Sequence, residues 1–162
     1  MLYSTNATAT LTGKSMMMIH RKVVSTAAEL ALAQQIRRQV FVEEQGIPAA
    51  LEYDAADATA THVLVYKADA PIATGRLLTD GDGVGILGRI AVVADERGHG
   101  IGEQVVRELE RCAMAAGLRR LILHPHHYLQ PFYTRLGYQT VPGGESTVGV
   151  HQLVLMEKYL TG

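Results

Sequence analysis

The most constraining stretch of the chain runs from Gly88 to Glu103, G-R-I-A-V-V-A-D-E-R-G-H-G-I-G-E. Gly85 to Val93 is rich in branched apolar residues and reads as a strand. A short acidic loop follows, then three glycines at alternate positions, Gly98, Gly100 and Gly102. They open a helix from about Gly100 to Ala116, with Ile101, Val105, Leu109, Cys112 and Ala116 as its apolar stripe and Gly117 as its stop. Glycines at a helix start permit unusual backbone angles and let a ligand touch the main chain. Unpaired amides then point to one place at the positive end of a helix dipole. Such a turn is an anion site, and phosphate suits it. Arg97 adds a permanent charge at its edge. The alternative is a glycine-rich helix start that holds nothing.

Two nucleotide readings fail on the residues themselves. A P-loop needs Gly-Lys-Ser/Thr, and here Gly102 is followed by Glu103 and Gln104. The dinucleotide fingerprint needs glycine or alanine where Glu103 stands. Composition narrows the field further. With 15 basic and 16 acidic side chains the formal net charge is −1, so a generally basic nucleic-acid binder is excluded. An anionic ligand must therefore be held by local geometry. Cys112 is the one cysteine, which rules out an internal disulfide and a cysteine-based zinc site. That agrees with a cytoplasmic protein. No apolar run approaches the ~18 residues of a membrane span.

A chain of 162 residues fits one domain. Residues 1–15 are polar and threonine-rich, and are expected to be a disordered leader ahead of a single domain over 16–162. Ile19 to Val24 reads as a strand. Thr26 and Glu29 have capping-box spacing, and Leu30, Ala33, Ile36, Val40 and Phe41 recur at helical spacing until Gly46 and Pro48. Strands follow over Thr61–Ala68 and Ile72–Thr79, with Asp80-Gly81-Asp82-Gly83 as the strongest hairpin turn. Leu118–His124 is a strand, Pro131–Leu136 a short helix closed by Gly137, and Tyr138–Val141 and Val148–Met156 are the last strands. The result is a mixed sheet with helices against it.

Arg97-Gly98-His99-Gly100-Ile101-Gly102 after Arg89-Ile90-Ala91-Val92-Val93 resembles the acetyl-CoA signature of the GNAT (Gcn5-related) N-acetyltransferases, Gln/Arg-x-x-Gly-x-Gly/Ala. Pro131 to Tyr138 resembles the family's Phe-Tyr-x-x-x-Gly-Phe segment. Val40 to Pro48, Ala73 to Leu77 and Gly149-Val150-His151 are similar to the ElaA-like branch. The resemblance spans roughly residues 18–160. It implies the GNAT fold, an α/β (α+β) architecture with a mixed, mostly antiparallel sheet of about seven strands in the order β-α-α-β-β-β-α-β-α-β-β.

The resemblance also implies a site. Coenzyme A pyrophosphate would rest on the amides of Gly98, His99, Gly100, Ile101, Gly102 and Glu103, beside Arg97. The pantetheine arm would pair like an added strand with Ile90, Ala91 and Val92, through main-chain bonds that need no particular side chain. The strand is expected to splay near Val92, leaving an amide to polarise the thioester carbonyl. Tyr133 matches the tyrosine that protonates the leaving thiolate, a nearly balanced transfer between phenol and thiol. The family often has Asn seven residues earlier. Here His126 stands there, and that role is not carried over.

An acceptor amine must also lose a proton. Glu43, Glu44, His62 and His151 are the candidate bases, beside a base relayed through water. Each has a plain reading too: exposed helix-end acids for the glutamates, a satisfied core group for His62. Arg76 and Arg89 are either paired structural arginines or holders of an acceptor carboxylate. Glu43, Glu44, Asp54 and Asp57 together hint at an acidic pocket and a cationic acceptor. His124, His126 and His127 lack an adjacent carboxylate, so no metal is expected; Asp80 and Asp82 read as turn residues, and Cys112 as inert core. The function implied is transfer of acetyl from acetyl-CoA to a small-molecule or peptide amine by direct attack in a ternary complex. The alternative is an inactive coenzyme-A-binding regulatory module. Neither nucleic acid nor membrane is an expected partner, and a homodimer is the assembly to test.

Overall fold

In the computed structural model, residues 3–4, 10–12 and 15–161 are described. The expected leader over residues 1–15 falls partly outside them. Within it, β1 (Tyr3–Ser4) pairs through its backbone with β4 (Ile19–Val23), and β2 (Thr10–Thr12) pairs with β3 (Ser15–Met17). The chain then forms α1 (Ala27–Arg37), a π-helical stretch (Arg38–Glu44), α2 (Ala49–Glu52) and a 3-10 turn (Ala55–Ala58). Next come β5 (Thr61–Lys67), β6 (Ala70–Thr79), β7 (Val84–Val92) and α3 (Ile101–Ala115). β8 (Arg120–Leu123), a 3-10 turn (His127–Leu129) and α4 (Gln130–Arg135) precede four short strands: β9 (Gln139–Thr140), β10 (Ser146–Val148), β11 (His151–Leu153) and β12 (Met156–Tyr159).

The main sheet runs β1-β4-β5-β6-β7-β8-β12-β9. Its pairings are antiparallel except β7 with β8. Alternation along β5 decides what each face buries. Val63 and Val65 join Val105, Leu109 and Ala113 of α3 in one core cluster. Leu64 joins Ala33, Ile36 and Val40 of the first helical segment in the other. The sheet is thus covered on both faces, which suits its long apolar runs.

The helix starts follow local chemistry. Thr26 accepts from the Glu29 amide at 3.1 Å, and the Glu29 carboxylate accepts from the Thr26 amide at 3.1 Å, completing the capping box. α3 starts at Gly100, whose φ of 76° places it in the left-handed region. Asp80 accepts from the Asp82 amide at 2.9 Å, so these two acids shape the β6–β7 turn.

Two expected elements take another form. The first helix widens at Arg38 into the π-helical stretch, and this lets Gln45 and Ile47 donate back to the Val40 and Phe41 carbonyls. The expected strand Val148–Met156 is broken. Gly149 has φ 60° and turns the chain between β10 and β11, while the Val154 amide leaves its own strand to donate to the Pro125 carbonyl.

Candidate active site

The site begins with a defect in β7. Thr74 of β6 pairs with Ala91, but Arg76 pairs with Gly88, so two steps on β6 oppose three on β7. This is a β-bulge, and within it Arg89 has φ 52°, a left-handed angle rare outside glycine. The bulge lies on the cavity wall, which five consecutive residues of β7, Ile86 to Ile90, line. Opposite it, Gly75 is held against α3. A Cβ there would lie 2.6 Å from a methyl of Val105, so any side chain would force the helix off the sheet.

The other edge of β7 is open. Its parallel pairing with β8 covers Val84–Ile86 and ends at Ile122. The strands therefore part after Ile86, well before the expected point near Val92. Twist and the bulge turn the second half of β7 away from β8. Ala91 and Val92 pair with Thr74 and Ala73 of β6 alone on the described sheet, Ile90 lies within the bulge, and the Val92 carbonyl additionally accepts from Arg97 Nε at 2.9 Å.

At the end of this strand stands the glycine turn. Gly98 and Gly100 have φ of 83° and 76°, and a Cβ on either would meet nothing within 4 Å. Their requirement is conformational, and the space beside them is open. The first intrahelical bond runs from the Gln104 amide to the Gly100 carbonyl at 3.3 Å. Among the described residues no side chain caps the helix, so the amides of Ile101, Gly102 and Glu103 lie open at the positive end of α3. Gly102 has a further reason to be glycine: a Cβ would lie 3.3 Å from the Phe132 ring. That contact joins the glycine turn to α4. His99 sits on the exposed surface of the turn, its ring nitrogen 3.4 Å from the Glu96 carbonyl.

The cavity has a volume of about 340 Å³, within the range of small-ligand sites. Its walls are largely apolar, with Phe41, Leu51, Ile90 and Leu123 among them, and its polar groups include Arg89, His126, Tyr133 and His151. Tyr133 is 5% exposed and packs edge-on against Phe132 and Tyr138. Burial pushes its hydroxyl well above the usual phenol range. It is protonated at neutral pH and can give a proton but not take one. Tyr138, five residues on, points elsewhere and donates to the Glu110 carboxylate at 2.9 Å.

The candidate bases separate. His151 lines the cavity with Tyr133 and meets His126 edge-on, ring centroids 4.9 Å apart. His126 also stacks on Tyr128 at 5.2 Å. Burial, then the neighbouring His151 and His127, hold His126 below the usual imidazole range. Glu43 is exposed on the π-helical stretch and is not in the cavity wall. Glu44 lies outside the cavity too, and accepts from both terminal nitrogens of Arg97 at 2.9 Å. His62 is 4% exposed, with Nε2 3.0 Å from the Asp57 carbonyl, and belongs to the interior.

The expected acidic pocket is corrected by the arginines it meets. Fully buried Arg37 contacts Glu52 at 2.5 Å and Asp57 at 2.9 Å. Arg76 holds Asp57 at 2.8 Å and Asp54 at 2.7 and 3.0 Å. Burial alone would raise the Asp57 carboxyl, but hydrogen bonds from Arg37 and Arg76 prevail and bring it down to about 2. Hydrogen bonding to Arg76 likewise lowers Asp54. Both carboxylates are paired to arginines, and neither lines the cavity, although the Asp54 side chain stays 40% exposed. The bulge, Arg37 and His126 were not legible as site-forming residues, because their partners lie far away in sequence.

The sequence pattern of the acetyltransferase (GNAT) family matches residues 30–138. The chain belongs to that family. It is 32% identical over 136 residues to the uncharacterised N-acetyltransferase YjcF of Bacillus subtilis, covering 83% of this chain and 96% of YjcF. The crystal structure of ElaA from Escherichia coli superposes with a TM-score of 0.76 at 26% identity, covering 87% of this chain and 99% of ElaA. An acyl-CoA N-acyltransferase from Pseudomonas aeruginosa gives a TM-score of 0.76 at 25% identity, over 88% and 99% of the two chains. GNAT enzymes transfer acyl groups from acyl-CoA to amines. The parted strands and the uncapped glycine turn fit such a ligand: main-chain edge for an amide-bearing arm, amides for phosphate. Among the described residues no cluster of His, Cys, Asp and Glu could hold a metal ion, and no helix is long and apolar enough to cross a membrane.

Proposed function

We propose that the cavity is the acceptor site of an acetyl-CoA-dependent N-acetyltransferase in which Tyr133 is the general acid and His151 the general base. Bound acetyl-CoA supplies an activated acetyl group, open to direct attack by the acceptor amine in a ternary complex. Gly98 to Glu103 would hold its pyrophosphate and the open edge of Ile90 to Val92 its pantetheine arm. Arg97, already paired to Glu44, orients that turn more than it adds net charge. His151 takes the proton that the acceptor ammonium must lose, with His126 against it to fix the ring. As the C–S bond breaks, Tyr133 delivers its hydroxyl proton to the leaving sulfur and regains one from the nitrogen, which must shed its second proton to become the amide. The surroundings that raise this phenol also raise a thiol released beside it, so donor and acceptor shift in the same direction.

One observation carries the reading: Tyr133 and His151 line the same cavity as the bulged part of β7 that has parted from β8. The test is Tyr133→Phe. Turnover is expected to fall about 10²- to 10⁴-fold, with coenzyme A affinity retained in calorimetry. Unchanged turnover would remove Tyr133 from the chemistry.

A further inference from the structure

Arg89 is placed unlike the other arginines of the cluster. Arg37 and Arg76 have side chains 1% and 6% exposed, and both are locked to carboxylates. Arg89 is 27% exposed and lines the cavity. Its Nε and Nη2 donate to the Glu52 carbonyl, both at 3.2 Å, and Nη2 also reaches Asp54 at 3.3 Å. These bonds hold the guanidinium against the carboxyl end of α2, where a cation is favoured. They leave Nη1 without a partner among the described residues. The backbone that delivers this side chain is itself costly, since φ 52° is disfavoured for any residue with a Cβ. Strain retained at a cavity wall marks a position set by more than packing.

The rest of the wall has the complementary character. Glu52 is the one carboxylate among the described lining residues, and its side chain is 1% exposed, with Oε1 shared between Arg37 and Arg89. Asp54 and Asp57 are engaged by Arg76. An acceptor entering this cavity meets a guanidinium with a free donor, and no accessible acid. We propose that Arg89 is the acceptor-anchoring residue, and that the amine acceptor carries a carboxylate, as an α-amino acid or related amino-carboxylate does, which Nη1 of Arg89 binds. The inference rests on the proposed acceptor site. Burial, followed by the positive neighbours Arg76 and Arg37, lowers the Arg89 pKa, and a bound carboxylate would relieve that crowding.

The test pairs each amino acid of an acceptor panel with its amide and its decarboxylated amine, with thiol release from acetyl-CoA as the readout. In the wild-type protein the carboxylated members are expected to exceed their twins in kcat/KM by about 10- to 100-fold. Arg89→Gln should erase that ratio through KM, leaving kcat within about threefold. Arg89→Lys should keep part of it, since a point charge replaces a fork. Calorimetry of the coenzyme-A-loaded protein should show binding of the preferred amino acid lost in Arg89→Gln. Equal use of twins by the wild type, or a ratio unchanged in Arg89→Gln, overturns the proposal while leaving the acetyltransferase reading intact. If Arg89→Gln unfolds, the wild-type ratio and Arg89→Lys decide. Turnover of no amine in any arm overturns the proposed function and this inference with it.

Discussion

The glycine turn over residues 98–102 and the arginine–carboxylate cluster beneath α2 handle charge by opposite means. The turn presents main-chain amides from consecutive residues, and its requirement is backbone conformation at Gly98 and Gly100. The cluster gathers Arg37, Glu52, Asp54, Asp57, Arg76 and Arg89 from five separate segments and pairs them with one another, leaving Glu52 Oε2 and Arg76 Nε buried without a partner among the described residues. The turn thus keeps donors available, while the cluster consumes nearly all of its own. The comparison teaches that a count of charges near a site says little about its field. The cavity side of the cluster is left with a partly exposed, unpartnered donor, Nη1 of Arg89, among the described residues.

The largest effect is expected where pairing is deepest. Arg37→Met should cost about 3–5 kcal/mol, because Glu52 and Asp57 are left buried without their cation. The urea midpoint reads this directly, and a loss below about 1 kcal/mol would show that the cluster is not holding α1 to the α2 segment. Gly100→Val probes the other region. It should cost about 1–2 kcal/mol for the left-handed backbone, with open space around the added Cβ. Coenzyme A affinity should nevertheless fall more than about tenfold, since the turn amides no longer converge. Affinity preserved in a folded Gly100→Val protein would sink the phosphate assignment.

A smaller effect separates the two regions by pH. Asp57 ionises at about 2 in the fold, below the ~3.9 of an unfolded chain. Its contribution to stability is complete above about pH 4 and is lost as pH falls through about 2. The melting temperature should decline across that window, and Asp57→Asn should flatten the decline. The main-chain donors of the glycine turn have no titration there, so an undiminished slope in Asp57→Asn would place the acid sensitivity outside the cluster.

Much of the glycine-turn region was legible because it is local. The capping box at Thr26, the stop at Gly117 and the glycines before α3 are read within a few residues, and the structure places them as the pattern requires. The acceptor side was misread where partners are distant. Asp54 and Asp57 looked like an open acidic pocket until Arg76, 22 and 19 residues away, closed on them. His126 and His151 show no relation in sequence, yet their rings meet at 4.9 Å because β11 folds back over the end of β8. The family segment singled out Tyr133 from Tyr138, and the structure separates their surroundings. Helix α4 turns Tyr133 into the cavity, while Tyr138 follows Gly137 and bonds Glu110.

By itself, then, the sequence determined most of the helices and strands and the glycine turn before α3, since helix caps and glycine φ are set by neighbours along the chain. Tertiary structure alone decided which charges survive in the cavity and which are cancelled. It also decided where β7 leaves β8 and where the bulge turns Arg89 inward. Those outcomes depend on packing between segments remote in sequence, and burial makes every such pairing decisive by removing the water that would otherwise screen it.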